Sequence, residues 1–409
     1  MWHWLKRWRD WAMHDLWPMQ RLGVRPQALH CSYEKAGLTV HDQPIPWNAE
    51  AVLVEALVRL PAGRSPADFQ LRIGKDPPIA AETIRRDEAD DRHHLFFRLT
   101  PPTESTTAEL LWRTTSLGQL SLPVLTREDF IAGLKIQIPA LFVRLGDQSV
   151  ACQTFVSSQC RGLLASAVIT SPTSLAPLRD LGLQVEFRAD RKGGPAFVVG
   201  APLTSSQLAG KQALVSLIPP KFPRRVGLWS VTWMVGNRPL FAQRFRAISQ
   251  AHFQRSLRIC DTRFLIQSAK HGMSLLRQVP PLDKEDRVGP CFLVASGEAG
   301  MAGICTLHIH AQVNGAETMP VLSEQEVLVT DGPTLVVPGT VDIHDLAEVR
   351  GFEVRVKDTV LGSISLTPAP AADFNSEGGF KPVDDFIWTA AAEEELSKRL
   401  GGLMGNPKP

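Results

Sequence analysis

Thr115-Ser116-Leu117-Gly118-Gln119-Leu120-Ser121-Leu122 and Thr359-Val360-Leu361-Gly362-Ser363-Ile364-Ser365-Leu366 share one shape: strand-forming residues, a glycine, then apolar residues alternating with serine. Alternation with a period of two marks a half-buried strand, because successive side chains leave opposite faces of a sheet. Each octet follows another apolar run, Leu110-Leu111-Trp112-Arg113 in one case and Phe352-Glu353-Val354-Arg355-Val356 in the other. Each therefore reads as one arm of a β-hairpin turning around its glycine. Between them, Trp229 to Val235, the turn dipeptide Gly236-Asn237 and Leu240-Phe241-Ala242 form a third strand–glycine–strand unit without the same letters.

Gly118, Gly236 and Gly362 are 118 and 126 residues apart. A period of about 120 residues fits tandem units that each close on a hairpin, and an immunoglobulin-like sandwich needs about 100. The expected fold is mainly β: three tandem immunoglobulin-like β-sandwich domains with short amphipathic helices at the N- and C-termini. The expected boundaries are 1–27 for a Trp-rich helix and linker, 28–127, 128–248 and 249–369 for the sandwiches, 370–381 for a linker and 382–404 for a C-terminal helix. The tryptophan–cysteine framework of antibody domains is absent, so the expectation concerns architecture rather than that family.

Other segments agree. Leu95 to Leu99, Ala140 to Leu145, Leu183 to Arg188, Cys291 to Ala295 and Cys305 to Val313 read as strands, and Asn314-Gly315 as a hairpin turn. Ala51 to Leu60 is apolar enough to be strand or helix. The Pro, Ala, Gly and Ser content after residue 366 marks a linker.

The totals set bounds. The chain has 409 residues, enough for two to four domains of ordinary size, and 44% hydrophobic residues, enough to pack their cores. A formal net charge of +2 does not call for a nucleic-acid partner. The basic cluster Lys221, Arg224 and Arg225 around Phe222 would make only a weak, salt-sensitive contact, so nucleic acid is not an expected partner. Six scattered cysteines without CxxC spacing argue against a disulfide framework or zinc ribbon, although Cys152 and Cys160 could pair in an oxidising compartment. Charges interrupt the apolar residues at the N-terminus, so no secretory signal is read there, and a cytoplasmic location is expected. No stretch has the ~18 uncharged apolar residues of a membrane-spanning helix.

Five of the ten tryptophans fall in the first 17 residues: Trp2, Trp4, Trp8, Trp11 and Trp17. His3, Arg7, Asp10 and His14 share one helical face, while Trp4, Leu5, Trp8, Trp11, Ala12 and Leu16 line the other. Indoles suit interfaces, so Trp2, Trp4, Trp8 and Trp11 are candidate contacts to a partner's groove or, with Lys6, Arg7 and Arg9, to an anionic membrane surface. The same stripe could pack on the first sandwich instead. At the other end Trp388, Ala392, Leu396, Leu400 and Leu403 form an apolar stripe on a helix that Gly401-Gly402 ends. Trp388, Leu396 and Leu400 are its candidate docking residues.

One pair has metal-ligand spacing. His308 and His310 alternate along a strand, so both imidazoles leave one face, a geometry that zinc accepts. A third ligand could come from His344, Asp342 or Asp345. The apolar alternates Leu307, Ile309 and Ala311 fit a buried inner face, which makes a plain solvent-facing strand the competing reading. The acidic run Asp87, Glu88, Asp90 and Asp91 is flanked by Arg85, Arg86 and Arg92, which weakens a calcium reading. Gly297, Gly300 and Gly303 precede a strand rather than the helix a dinucleotide loop needs. No GxSxG is present, and no histidine lies between residues 95 and 251 to serve Cys152 or Cys160 as a base. The sequence thus points to a non-enzymatic intracellular scaffold that binds another protein through its terminal helices. Its alternatives are a metal module at His308 and His310 and a peripheral membrane protein. No cofactor beyond zinc and no small-molecule substrate is indicated.

Overall fold

The computed structural model describes residues 25–366, apart from 42–43, 61–64, 88–91, 192–193, 222, 269–271, 280–282, 315–318, 339–340 and 343–347. Both terminal helices of the sequence reading, with Trp2, Trp4, Trp8, Trp11, Trp388, Leu396 and Leu400, lie outside the described residues, as do the 370–381 linker, Gly315 and most of the acidic run after Asp87.

Strands dominate. The first eleven are β1 (Arg25–Lys35), β2 (Leu38–Val40), β3 (Ile45–Pro46), β4 (Ala51–Arg59), β5 (Phe69–Ile73), β6 (Ile79–Ala80), β7 (Thr83–Asp87), β8 (Arg92–Leu99), β9 (Thr106–Trp112), β10 (Thr115–Leu122) and β11 (Val124–Leu125). The next nine are β12 (Lys135–Leu145), β13 (Gln148–Ala151), β14 (Thr154–Val156), β15 (Cys160–Thr170), β16 (Leu183–Ala189), β17 (Ala196–Ala201), β18 (Gln212–Leu217), β19 (Gly227–Val235) and β20 (Arg238–Ile248). The last nine are β21 (Leu257–Ser268), β22 (Gly272–Leu276), β23 (Arg287–Ser296), β24 (Met301–Val313), β25 (Val321–Val329), β26 (Thr334–Val336), β27 (Val341–Asp342), β28 (Val349–Val356) and β29 (Thr359–Ser365). Ala51 to Arg59, open to helix or strand from sequence, is a strand whose valines 52, 54 and 58 are fully buried or nearly so.

One pairing scheme occurs three times. The order β2–β1–β4–β8 becomes β13–β12–β15–β18 and then β22–β21–β23–β26, while β10–β9–β5–β6 becomes β20–β19–β16–β17 and then β29–β28–β24–β25. Each pair of sheets shares a core. Tyr33, Phe69, Phe97 and Trp112 fill the first, Phe155, Phe187, Trp233 and Phe245 the second, and Phe264, Phe292 and Phe352 the third.

The three closing hairpins are in a different register from the one their glycines suggest. The turns are Arg113-Thr114, Gly236-Asn237 and Lys357-Asp358, and the first residue of each has positive φ: +58°, +58° and +52°. Four residues after each comes a leucine, Leu117, Leu240 or Leu361, that the partner strand skips as a β-bulge. Gly236 is therefore the counterpart of Arg113 and Lys357. Gly118 and Gly362 lie inside strands, next to the bulge. On the turn residues the spacings are 123 and 121 residues, more even than the glycine register.

The connectors repeat at the same interval. Helix α1 (Arg127–Gly133) and helix α2 (Gln250–Ser256) each have seven residues. Thr126 and Ser249 cap them by accepting a hydrogen bond from the third helical backbone N–H. Phe130 and Phe253, 123 residues apart, are fully buried, and Leu134 and Leu257 end the helices.

Each connector belongs to a joint. At the second joint β14 pairs in parallel with β20 on one edge and with β24 on the other, fusing two sheets into one of nine strands. The N–H groups of Gln153 and Thr154 donate to Gly300 O, and Arg246 N–H donates to Gln153 O. The side-chain amide of Gln159 accepts from Ile304 N–H at 2.7 Å and donates to Ile304 O at 2.6 Å, imitating one more residue of strand. At the first joint β3 pairs in parallel with β11 but, among the described residues, has no strand on its other edge. Side chains make the link there. Tyr33 Oη and Ser174 Oγ share a buried hydrogen bond of 2.6 Å, Lys35 donates to Asp180, and Arg179 donates to Ala36 O.

Hydrogen bonds from Lys35 and Asn48 hold the Asp180 carboxyl below the usual carboxylate range, against a partial desolvation that would raise it. A depressed carboxylate adds stability above its unfolded-state value, and that contribution is lost as pH falls through the folded-state value.

Packing at the second joint leaves no room beside Gly303, where a Cβ would sit 2.8 Å from the Phe253 ring and 2.8 Å from Val156 Cγ2. Gly303→Ala is expected to destabilise the protein by about 1–3 kcal/mol through overpacking. Gly200→Ala, where a Cβ meets nothing within 4 Å, is expected to be neutral or to stabilise by up to about 1 kcal/mol. Chemical denaturation of the two variants measures the contrast.

Candidate functional site

His308 and His310 lie on β24 with Leu307, Ile309 and Ala311 buried between and beside them, as the alternation requires. Both imidazoles face outward. His308 Nδ1 is 3.9 Å from Glu324 Oε2, its cross-strand partner on β25, and His310 Nδ1 is 3.3 Å from Met319 O. Asp342, a proposed third ligand, belongs to β27, which pairs with β23 in the sheet opposite β24. His344 and Asp345 lie outside the described residues. Among the described residues no group of three or more His, Cys, Asp or Glu side chains is placed to hold a metal ion. The face is thus a strand surface of paired polar groups. Gly303 is likewise part of β24 itself, so the GxxGxxG run leads into a strand and not into a phosphate-binding helix.

The basic cluster gains a different setting. The loop before β19 folds over the open end of the second sheet pair, opposite the turn between β16 and β17, and leaves a cleft of about 530 Å³. Trp229 and Phe197 are its apolar wall, with Val226 and Leu228 exposed at the rim. Four cations, Arg191, Lys221, Arg224 and Arg225, border it against one carboxylate, Asp190. Trp229 stacks on Phe245 and Phe245 on Phe155 of β14, with ring centroids 6.2 and 5.8 Å apart. The cleft therefore stands at the end of the second sheet pair nearest the second joint. Linear sequence places Lys221, Arg224 and Arg225 together but hides Arg191 and Phe197, which arrive from the preceding turn. Their only sequence mark is Arg191-Lys192-Gly193-Gly194-Pro195, a basic turn of the same charge. Cation-rimmed aromatic clefts of this size suit an anionic group attached to an apolar one.

A second surface is apolar and open. On the outward side of β15 and β18, Leu164, Ser166 and Val168 alternate with buried residues, and Leu214 and Ile218 are 64% and 68% exposed. The matching face of the first sheet pair is charged, with Arg98 on Glu34 and His94 on Glu55.

All six cysteines are free thiols. Burial pushes Cys152 up to about 12, Cys160 to about 11, and Cys291 and Cys305 to about 12. Cys31 is pushed up to about 11 by the same cause. Such thiols are poor nucleophiles at neutral pH. Cys260, at the bulge of β21 opposite β23, is exposed.

No family model matches the chain, and no curated protein matches it. Among solved structures it is similar to FdeC, an Escherichia coli adhesin, at 10% identity and a TM-score of 0.24, over 84% of this chain and 98% of that one. It is also similar to the I9–I11 tandem of titin (10% identity, TM-score 0.23, 78% and 92% covered) and to Yersinia pseudotuberculosis InvD (10%, 0.22, 81% and 97%). TM-scores of this size assign neither fold nor function, and the architecture rests on the strand pairing above.

With a disulfide-exchange thiol reagent at neutral pH, Cys260 is expected to react at least tenfold faster than the other five thiols. Cys260→Ser removes that fast phase. A fast phase that survives the substitution would contradict the shielding of the other five, four of them buried and Cys31 half-buried.

Proposed function

We propose that this chain is a non-enzymatic binding and scaffold protein, a ruler of three immunoglobulin-like domains that holds surfaces at fixed separations. The domains would be 28–127, 128–248 and 249–369. Their sheets follow the immunoglobulin division, with the first, second and fifth core strands in one sheet and the third, sixth and seventh in the other. The terminal helices would be the handles to another protein. The open apolar face of β15 and β18 is the sandwich surface best suited to a contact, being broad and uncharged along its centre.

The observation that carries this reading is β14, bonded to the strands on both its sides. Domains joined by exposed linkers move relative to each other, whereas a shared sheet removes that freedom. The first joint reaches the same end with side chains. Lys35 is almost fully buried while Asp180 is half-exposed, so the link depends on one carboxylate at the surface and is open to charge reversal.

Single-molecule energy transfer between dyes at Gln119→Cys and Ser363→Cys, in a Cys260→Ser background, tests the ruler. A single narrow distance distribution is expected. Asp180→Lys, which sets like charge against Lys35, is expected to broaden it. A broad distribution in the unaltered joints would refute the reading.

A further inference from the structure

The cleft beside Trp229 has an acidic, aromatic counterpart in the same chain. Residues 373–395 contain seven carboxylates, Asp373, Glu377, Asp384, Asp385, Glu393, Glu394 and Glu395, against one cation, Lys381. The run Asp384-Asp385-Phe386-Ile387-Trp388 sets two carboxylates directly beside an aromatic-rich apolar triplet. The cleft has the complementary composition: Lys221, Arg224, Arg225 and Arg191 around an aromatic wall of Trp229 and Phe197. We infer that the cleft is the docking site of this chain's own C-terminal segment, with Asp384 and Asp385 on the cationic rim and Phe386 or Trp388 against Trp229. The inference holds whether or not the joints are stiff, but it assigns Trp388 of the C-terminal handle to this chain's own cleft in place of a partner protein.

Reach permits it. The described chain ends at Leu366, whose N–H donates to Arg350 O at the far end of β29. The opposite end of β29 begins at the Lys357-Asp358 turn, and Lys357 lies with Gln159 and Gln250 at the second joint. The seven residues of β29 span roughly 23 Å. The cleft is on the other side of that joint, where Leu228 pairs with Arg246 and Arg246 reaches Glu298 across the joint at 3.9 Å. From Leu366 to Asp384 is 18 residues, which extended cover roughly 60 Å. The sequence between them is rich in Pro, Ala and Gly, as an extended tether requires.

The chemistry selects this occupant over an anion alone. An inorganic anion would use the cations and leave the aromatic wall wet, whereas the tail offers both groups at adjacent positions. Attachment also raises its effective concentration to the millimolar range, so even a weak contact forms.

Zero-length carbodiimide coupling of the full chain at low concentration, read by mass spectrometry, tests the inference. The expected product joins Lys221 Nζ to Asp384 or Asp385 in a species that migrates as a monomer, with loss of water as the amide forms. Its yield is expected to fall at least fivefold in Arg224→Glu/Arg225→Glu and in Phe386→Ala/Trp388→Ala, the second of which keeps both carboxylates and alters no residue of the sheets. Chymotryptic cleavage after Phe386 is expected to speed up by a similar factor in Asp384→Asn/Asp385→Asn. The inference is overturned if Lys221 couples only elsewhere, if the product forms only between two copies in an isotope-mixed sample, or if cleavage after Phe386 is equally fast in the native chain and in Asp384→Asn/Asp385→Asn.

Discussion

Three residues, Thr154, Phe155 and Val156, carry the geometry of the second and third sheet pairs together. A strand this short has no stability alone. It persists because both of its backbone edges are bonded, to Arg246–Ile248 on one side and Met301–Ala302 on the other, while Phe155 is buried under Phe245. Each bond adds only about 1 kcal/mol net, yet leaving any of these groups unpaired in a buried place would cost more. The Gln159 amide on Ile304 extends the same ladder with side-chain atoms. Gly303 then has to be a glycine, since Phe253 and Val156 fill the space a Cβ would take. The joint is thus a continuation of the fold and not a contact between finished surfaces.

The first joint shows what the same topology does without the second edge. Among the described residues β3 pairs only with β11, and the vacant role passes to Lys35, Asp180, Tyr33, Ser174 and the tilted contact of Trp47 with Phe130, ring centroids 5.7 Å apart. Charge and aromatic packing replace backbone bonds. The two joints consequently answer to different perturbations, the first to charge and acid, the second to packing volume.

Much of this architecture is legible in the residues, and its gaps have physical causes. Strand-like apolar runs marked β8, β16, β24 and β28, and alternation also placed His308 and His310 on one face of their strand, which the structure has outward. The hairpin register was misread because glycine is the usual residue for positive φ, whereas Arg113 and Lys357 occupy those turns here. The better repeat, Thr126-Arg-Glu-Asp-Phe130 to Leu134-Lys135-Ile136 against Ser249-Gln-Ala-His-Phe253 to Leu257-Arg258-Ile259, is weak in identity but exact in capping and apolar position. β14 has too few residues to show a period, and its two partners lie about 90 and 145 residues onward in the sequence. The cleft is similarly hidden, because a turn near Arg191 and a loop near Lys221 meet only when β16 and β19 pair.

Hydrogen exchange on the backbone amides of β14 and its flanks is the most direct measure of the central claim. If β14 is an integral strand of one nine-stranded sheet, the amides of Gln153, Thr154 and Ser157 exchange as slowly as those of β19 and β20, through the same cooperative opening. If they exchange orders of magnitude faster, by a local opening that leaves β19 and β20 protected, the two sheet pairs are separate bodies and the account is wrong.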